Sequence, residues 1–188
     1  MNAVISADII DYTKLTIEQE DLVINSIYET FESDIEIRTN VDSSFVITRG
    51  DSIQIELDIP EQALRAALLL KSGINKTAFV KGNRTPDIDV RIAIGIGEIS
   101  KKRPYVNEST GDAYIYSGRT LDSMKQKKRM LAIKTYSDVL NNELETEFQL
   151  LEVILANWTV HAAEAIYWTL RGLNEKEGRK QKNNTQRS

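Results

Sequence analysis

Ala3-Val4-Ile5-Ser6-Ala7-Asp8-Ile9-Ile10, close to the start of the chain, is a short apolar run rich in β-branched residues. Its length and composition predict a strand buried on both faces, with Asp8 near the strand's end. Downstream, Thr16 and Gln19 have the spacing of a capping box, and Val23, Ile27, Phe31 and Ile35 recur every four residues, which predicts a long amphipathic helix. Ser44 to Thr48 and Ser52 to Asp58 read as two strands, the second alternating Ile53, Ile55 and Leu57 with Gln54, Glu56 and Asp58. Arg49-Gly50-Asp51 between them predicts a hairpin with Gly50-Asp51 at its tip. Pro60-Glu61 opens a second helix with the packing stripe Ala63, Ala67, Leu70 and Ile74, followed by a polar loop through Gly82, Asn83 and Pro86.

From Asp89 to Glu98 the chain alternates strictly, Val90, Ile92, Ile94 and Ile96 on one face and Arg91, Ala93, Gly95 and Gly97 on the other. So small a face predicts a neighbour packed very closely against it. After a loop containing Pro104, Gly111 to Lys125 fits a helix and Met130 to Thr135 a strand. Val139 to Asn157 reads as a helix with Leu140, Leu144, Phe148, Leu151 and Leu155 in register. The order β-α-β-β-α-β, then helix, strand and helices, gives an α+β fold class with a ferredoxin-like βαββαβ core and added C-terminal helices. Residues 1–136 form the expected first domain and 137–188 a set of C-terminal helices.

Composition sets outer bounds. The 188 residues hold one ordinary core plus an appendage, and 41% hydrophobic with 28% charged residues is the mix of a globular chain. Without cysteine, neither disulfides nor thiolate metal sites are open to it, so oxygen ligands and hence Mg2+, Mn2+ or Ca2+ are the cations to consider. The apolar stretches are too short for a membrane span and the N-terminus lacks signal-peptide features, so a cytoplasmic location with no membrane partner is the expectation. Net charge is −4, but from Arg171 onward six basic residues face only Glu175 and Glu177, a tail of about +4. Such a tail suits either a nucleic-acid-facing end or a solvated terminus.

In the expected topology the end of the first strand and the hairpin tip lie side by side, which brings Asp8 and Asp51 together. Two close carboxylates share a proton or bind a cation, and metal is the common solution in phosphate chemistry. Gly50 allows close backbone approach to a ligand, and the Asp8-Ile9-Ile10-Asp11 segment leads into a loop whose N–H groups suit phosphate oxygens. The same residues serve a plainer reading equally well: Asp8 caps the strand-to-helix turn and Gly50-Asp51 is a good hairpin turn.

Four segments in sequence order resemble the class III adenylyl and guanylyl cyclases. Ile5-Ser6-Ala7-Asp8-Ile9-Ile10-Asp11-Tyr12-Thr13 is similar to their F-x-D-I-x-G-[FY]-T segment and Arg49-Gly50-Asp51-Ser52 to their hairpin G-D. Arg91-Ile92-Ala93-Ile94-Gly95-Ile96-Gly97 echoes R-x-G-I-x-x-G, and Gly111 to Arg119 lies on G-x-x-x-N-x-A-x-R. The resemblance implies a core of the class III cyclase type with Mg2+ or Mn2+ held by Asp8, Asp51 and Ile9. It also implies a nucleoside triphosphate met by Asp11, Tyr12, Thr13 and Gly50, with Glu108 near the base. Arg119 would act as the catalytic arginine across a homodimer interface, its plainer role being a structural salt bridge on a helix. Departures accompany these matches. Ile115 stands where the cyclases carry a ribose-orienting asparagine, and Phe45 where they carry a base-reading lysine.

At the C-terminal end, Trp158, His161, Ala165, Ile166, Trp168, Thr169 and Leu170 read as one helix stopped at Gly172. His161, remote from any carboxylate motif, reads as a packing or surface residue. Trp168 to Glu177 looks like the entry to a helix-turn-helix and Asn183 to Ser188 like its turn. The base-reading helix is not in this sequence, so DNA is an expected partner only if the motif is completed. A cyclase-like domain closed by such a motif resembles the SatD family of bacterial proteins, which implies a regulator. The expected function is a nucleotide- and divalent-metal-binding cyclase-like domain with weak or no cyclase activity. An active two-metal cyclase and a DNA-binding regulator whose front domain only dimerises are the alternatives.

Overall fold

A computed structural model describes residues 1–32, 45–48, 50–79 and 84–173. The readings at Ile35, Ser44, Arg49, Gly82 and Asn83, and the helix-turn-helix from residue 174 onward, lie outside the described residues. The elements are β1 (Asn2–Ile9), α1 (Ile17–Glu32), β2 (Phe45–Thr48), β3 (Ser52–Leu57), α2 (Ala63–Lys76) and β4 (Val90–Gly97). They continue with β5 (Ile99–Lys101), β6 (Thr110–Gly111), α3 (Asp112–Lys127), β7 (Leu131–Thr135), α4 (Asp138–Ala156) and α5 (Val160–Leu170). The chain is α+β with a mixed sheet of order β2-β3-β1-β4-β7, in which β7 runs parallel to β4 and the other neighbours are antiparallel.

β1 sits centrally because both its faces are covered. Its odd residues Ala3, Ile5, Ala7 and Ile9 join the main apolar cluster under α1 and α2, where Ile5 stands level with Ile55 and Ile94 in the neighbouring strands. The helical stripes behave as their spacing demands: Val23, Ile27 and Phe31 on α1 and Ala63, Ala67, Leu70 and Ile74 on α2 are all buried. The capping box forms as well, Thr16 N–H donating to Gln19 Oε1 at 2.9 Å and Gln19 N–H to Thr16 Oγ1 at 3.4 Å.

On the opposite face lies α3. Ser6 Oγ donates to Ser117 Oγ at 2.9 Å, and a Cβ built on Gly95 would stand 2.2 Å from the Ala113 carbonyl oxygen and 2.5 Å from the Ser117 nitrogen. The small residues of β4 therefore exist to let a helix backbone rest on the sheet. Gly95→Ala is expected to lower the unfolding free energy by about 2–3 kcal/mol, because backbone cannot move aside as a side chain can. Urea denaturation of the variant checks this.

α5 lies on α2, and its Val160, Ala163, Tyr167 and Trp168 belong to the same apolar cluster as β1. Arg65 Nη2 caps it by donating to the Leu170 carbonyl at 2.8 Å, and Gly172 follows with φ of 72°. Trp158 precedes the helix rather than lying on it, and His161 is exposed. On α4, Phe148 and Leu155 are buried and Leu144 and Leu151 partly so, whereas Leu140 at the start is exposed. No helix among the described residues is long and apolar enough to cross a membrane.

Candidate functional site

Asp8 stands level with Ser52 of β3 on one side and Arg91 of β4 on the other. One residue further, Ile9 N–H donates to the Asp51 carbonyl at 2.9 Å, and Ile10 N–H donates to the Asp89 carbonyl at 2.9 Å. The strand end and the hairpin tip are thus stitched together by the main chain, as the expected topology required.

The Asp8 carboxylate is not bare. Arg91 Nη1 donates to both its oxygens at 3.0 and 3.2 Å, and Lys125 Nζ on α3 lies 3.2 Å from Oδ2. Arg91 is itself fixed by an Nε–H bond to the Arg129 carbonyl at 3.2 Å. Arg91 and Asp8 are mostly buried, whereas Lys125 is 57% exposed. Asp51 is half-buried and forms no ion pair among the described residues. Ile9 has a buried hydrocarbon side chain with no ligand atom, so its backbone carbonyl is the one group it could offer a cation.

Around the tip, Gly50 adopts φ of 82°, and a Cβ there would come within 2.7 Å of the Tyr12 hydroxyl, so the tyrosine ring rests on the turn. Tyr12 donates to Glu20 Oε2 at 3.2 Å. Burial, then the Glu20 charge and hydrogen bond, then the Asp51 charge push its hydroxyl above the usual tyrosine range, so it remains a donor at neutral pH. Tyr12 to Lys14 form a short 3-10 turn whose first N–H groups have no acceptor within the turn. Asp11, left-handed at φ 56°, pairs with Lys14 at 3.0 Å, and Thr13 is exposed. The structure thus gathers Asp8, Ile9, Asp11, Tyr12, Thr13, Gly50 and Asp51 into one corner of the molecule.

Arg119 and Glu108 stand apart from that corner's contacts. Arg119 is exposed on α3, one turn beyond Ile115, which is 44% exposed. The side chain of α3 that reaches Asp8 is Lys125. Glu108 is exposed in a short turn, Val106–Glu108, packed beside β2 and β3. Phe45 faces the opposite side of the sheet, against the rings of Tyr28 and Phe31 at centroid distances of 5.2 and 5.5 Å, so it contributes core packing and no base contact.

Beyond the expected residues lies a second polar group on the α3 face of the sheet. Glu56 is fully buried, accepts from the Tyr114 hydroxyl at 2.5 Å and pairs with Lys102 at 3.1 Å. Lys102 also reaches Asp58 Oδ1 at 2.7 Å, which accepts from Asn2 Nδ2 at 2.9 Å. Burial, reinforced by the Glu56 carboxylate, pushes the Tyr114 hydroxyl far up. For Lys102, burial disfavours the ammonium, but its hydrogen bonds to Asp58 and Glu56 outweigh that and raise it. These groups escaped the reading of the sequence because alternation shows which face a residue occupies, not whether that face is covered.

Among the described residues no group of three or more His, Cys, Asp or Glu side chains is placed to hold a metal ion. Mg2+ is commonly held by one or two carboxylates plus substrate phosphates, so it does not require a closed cage of protein ligands. No protein-family model matches this chain, and no curated protein matches it in sequence.

Proposed function

We propose that this chain is a nucleotide- and divalent-metal-binding domain of the class III cyclase type in a bacterial regulatory protein, with weak or no cyclase activity. The observation that carries the reading is the Ile9-to-Asp51 hydrogen bond, which holds the two aspartate-bearing segments side by side at the hairpin tip. The antiparallel order β2-β3-β1-β4 supports a ferredoxin-like core, and the fifth strand and later helices are the additions. Asp8, Asp51 and the Ile9 carbonyl would hold Mg2+ or Mn2+, whose chemistry is to neutralise phosphate charge. The chain's own groups do the rest: Gly50 lets the Tyr12 ring rest on the tip, and Tyr12 braces it. The turn from Asp11 to Thr13 presents N–H groups to phosphate oxygens, and Lys125 adds a mobile positive charge. Cyclisation additionally needs the ribose oxygen aligned on the α-phosphate, and an isoleucine at position 115 has no group with which to hold a sugar. That is why binding without efficient turnover is the expected behaviour, with membership of the SatD family and a homodimer as parts of the same proposal.

Calorimetric titration of ATP, GTP, UTP and CTP with Mg2+ or Mn2+ tests it. Wild type is expected to bind at least one of them, and Asp51→Ala to weaken that binding on the order of ten- to a hundredfold. Asp8→Ala should do the same, but it strands Arg91, so Asp51→Ala, whose carboxylate forms no ion pair among the described residues, is the cleaner variant. Absence of binding in wild type, or binding indifferent to Asp51→Ala, overturns the proposal. Rapid cyclic-nucleotide formation abolished by Asp51→Ala would replace it with an active cyclase.

A further inference from the structure

We infer that Lys125 is a tethered counter-ion: its ammonium occupies Asp8 when no divalent cation is bound and transfers to a phosphate oxygen when one is. This rests on the nucleotide- and metal-binding reading above. Asp8 carries two cations at once, Arg91 at 3.0 Å and Lys125 at 3.2 Å. Asp8 alone does not need both, so the outer of the two is available to a second anion.

The two cations are not equivalent. Arg91 is 16% exposed, stands level with Asp8 in the sheet and is held from behind by the Arg129 carbonyl, so it cannot leave without unpicking the strand end. Lys125 is 57% exposed and sits in the last turn of α3 on a flexible four-carbon stem. Exposed lysine pairs are weak and easily exchanged. An incoming cation thus meets one carboxylate with no ion pair among the described residues, Asp51, and one whose outer partner is displaceable.

Release does not send Lys125 away. The helix is fixed at its start by the contact of Ala113 and Ser117 with Gly95, and it closes one turn on at Lys128, whose N–H bonds the Met124 carbonyl. The ammonium therefore stays within one side-chain length of the hairpin corner, where the phosphates accompanying the cation would lie. Metal and lysine compete for Asp8, while phosphate and lysine cooperate, so the same side chain has opposite effects on the two ligands.

Opposite signs make the test decisive. Binding of Mn2+ alone, followed by calorimetry or electron paramagnetic resonance, and of inorganic tripolyphosphate in the presence of chelator, are compared for wild type, Lys125→Met, Lys125→Arg and Lys127→Met. Lys125→Met is expected to tighten Mn2+ by about three- to fivefold and to weaken tripolyphosphate by a similar factor. Lys125→Arg keeps both near wild type, and Lys127→Met, which removes a charge from the same turn, changes neither by more than about twofold. Unchanged or weakened Mn2+ binding in Lys125→Met overturns the inference while leaving the proposed function standing, as does an equal effect from Lys127→Met. Tripolyphosphate affinity unaffected by Lys125→Met also overturns it. Wild type that binds neither Mn2+, tripolyphosphate nor a metal nucleotide overturns the proposed function and this inference together.

Discussion

Glu56→Ala is expected to lower the unfolding free energy by about 2–3 kcal/mol, the loss typical of leaving a buried donor, here the Tyr114 hydroxyl, without its acceptor. The carboxylate is fully buried, accepts from Tyr114 and pairs with Lys102, so its removal takes the acceptor from the Tyr114 hydroxyl, while the partly exposed Lys102 ammonium keeps Asp58. Glu56→Gln keeps an acceptor for Tyr114 and should cost about 1 kcal/mol or a little more, since only the charge is lost. The pH dependence follows from the same groups. Tyr114 and Lys102 are both raised from ordinary values of 10.0 and 10.5, so the folded state holds their protons more tightly than the unfolded chain. Stability from this source is complete below about pH 10 and is lost as pH rises through the raised folded-state values. Urea melts from pH 7 to 11 should show a decline confined to the alkaline end, and Glu56→Ala should flatten it.

Asp89→Ala is expected to cost more, about 3–5 kcal/mol, while Lys71→Met should cost far less, on the order of 1 kcal/mol. The asymmetry comes from burial. Lys71 has a side chain only 5% exposed and meets Asp89 Oδ1 at 2.5 Å, so without Asp89 its charge has no outlet. Asp89 is 35% exposed and also accepts from Asn75 Nδ2 at 3.2 Å and from Val90 N–H at 2.8 Å, so it tolerates the loss of the lysine. If the two single variants prove equally destabilising, the pair is not organised by burial as described. The double variant should lie close to Lys71→Met alone, because the stranded charge is then gone.

Much of this fold is legible in the sequence. The run from Ala3 to Ile10, the Thr16-Gln19 box and the stripes of α1 and α2 are local signals, and they predict elements that the structure contains within a residue or two. The two-stranded ribbon of β5 and β6 was not readable, because strands of three and two residues with an irregular register are too short to show a period. The meeting of Asp8 with the hairpin tip followed from topology alone. The two cations on Asp8 did not, although an arginine on a face otherwise made of alanine and glycine was a signal that a carboxylate stood beside it. Lys125 could not have been found that way, since its reach depends on how α3 is rotated and seated on the sheet.

That seating is a matter of millimetric tolerance scaled to atoms. With Ala113 and Ser117 resting on Gly95, and Ser6 bonded to Ser117, α3 has a single berth along the sheet. A slip of one helical turn, about 5.4 Å, would bring Leu121 over the place made for Ser117 and carry Lys125 past Asp8. Two hydrogen atoms standing where side chains would otherwise be, at Gly95 and Gly97, therefore set the address at which a charge is delivered some ten residues along the helix. Mutational drift at those glycines would be felt first as misdelivered charge at the hairpin corner, even in molecules that still fold.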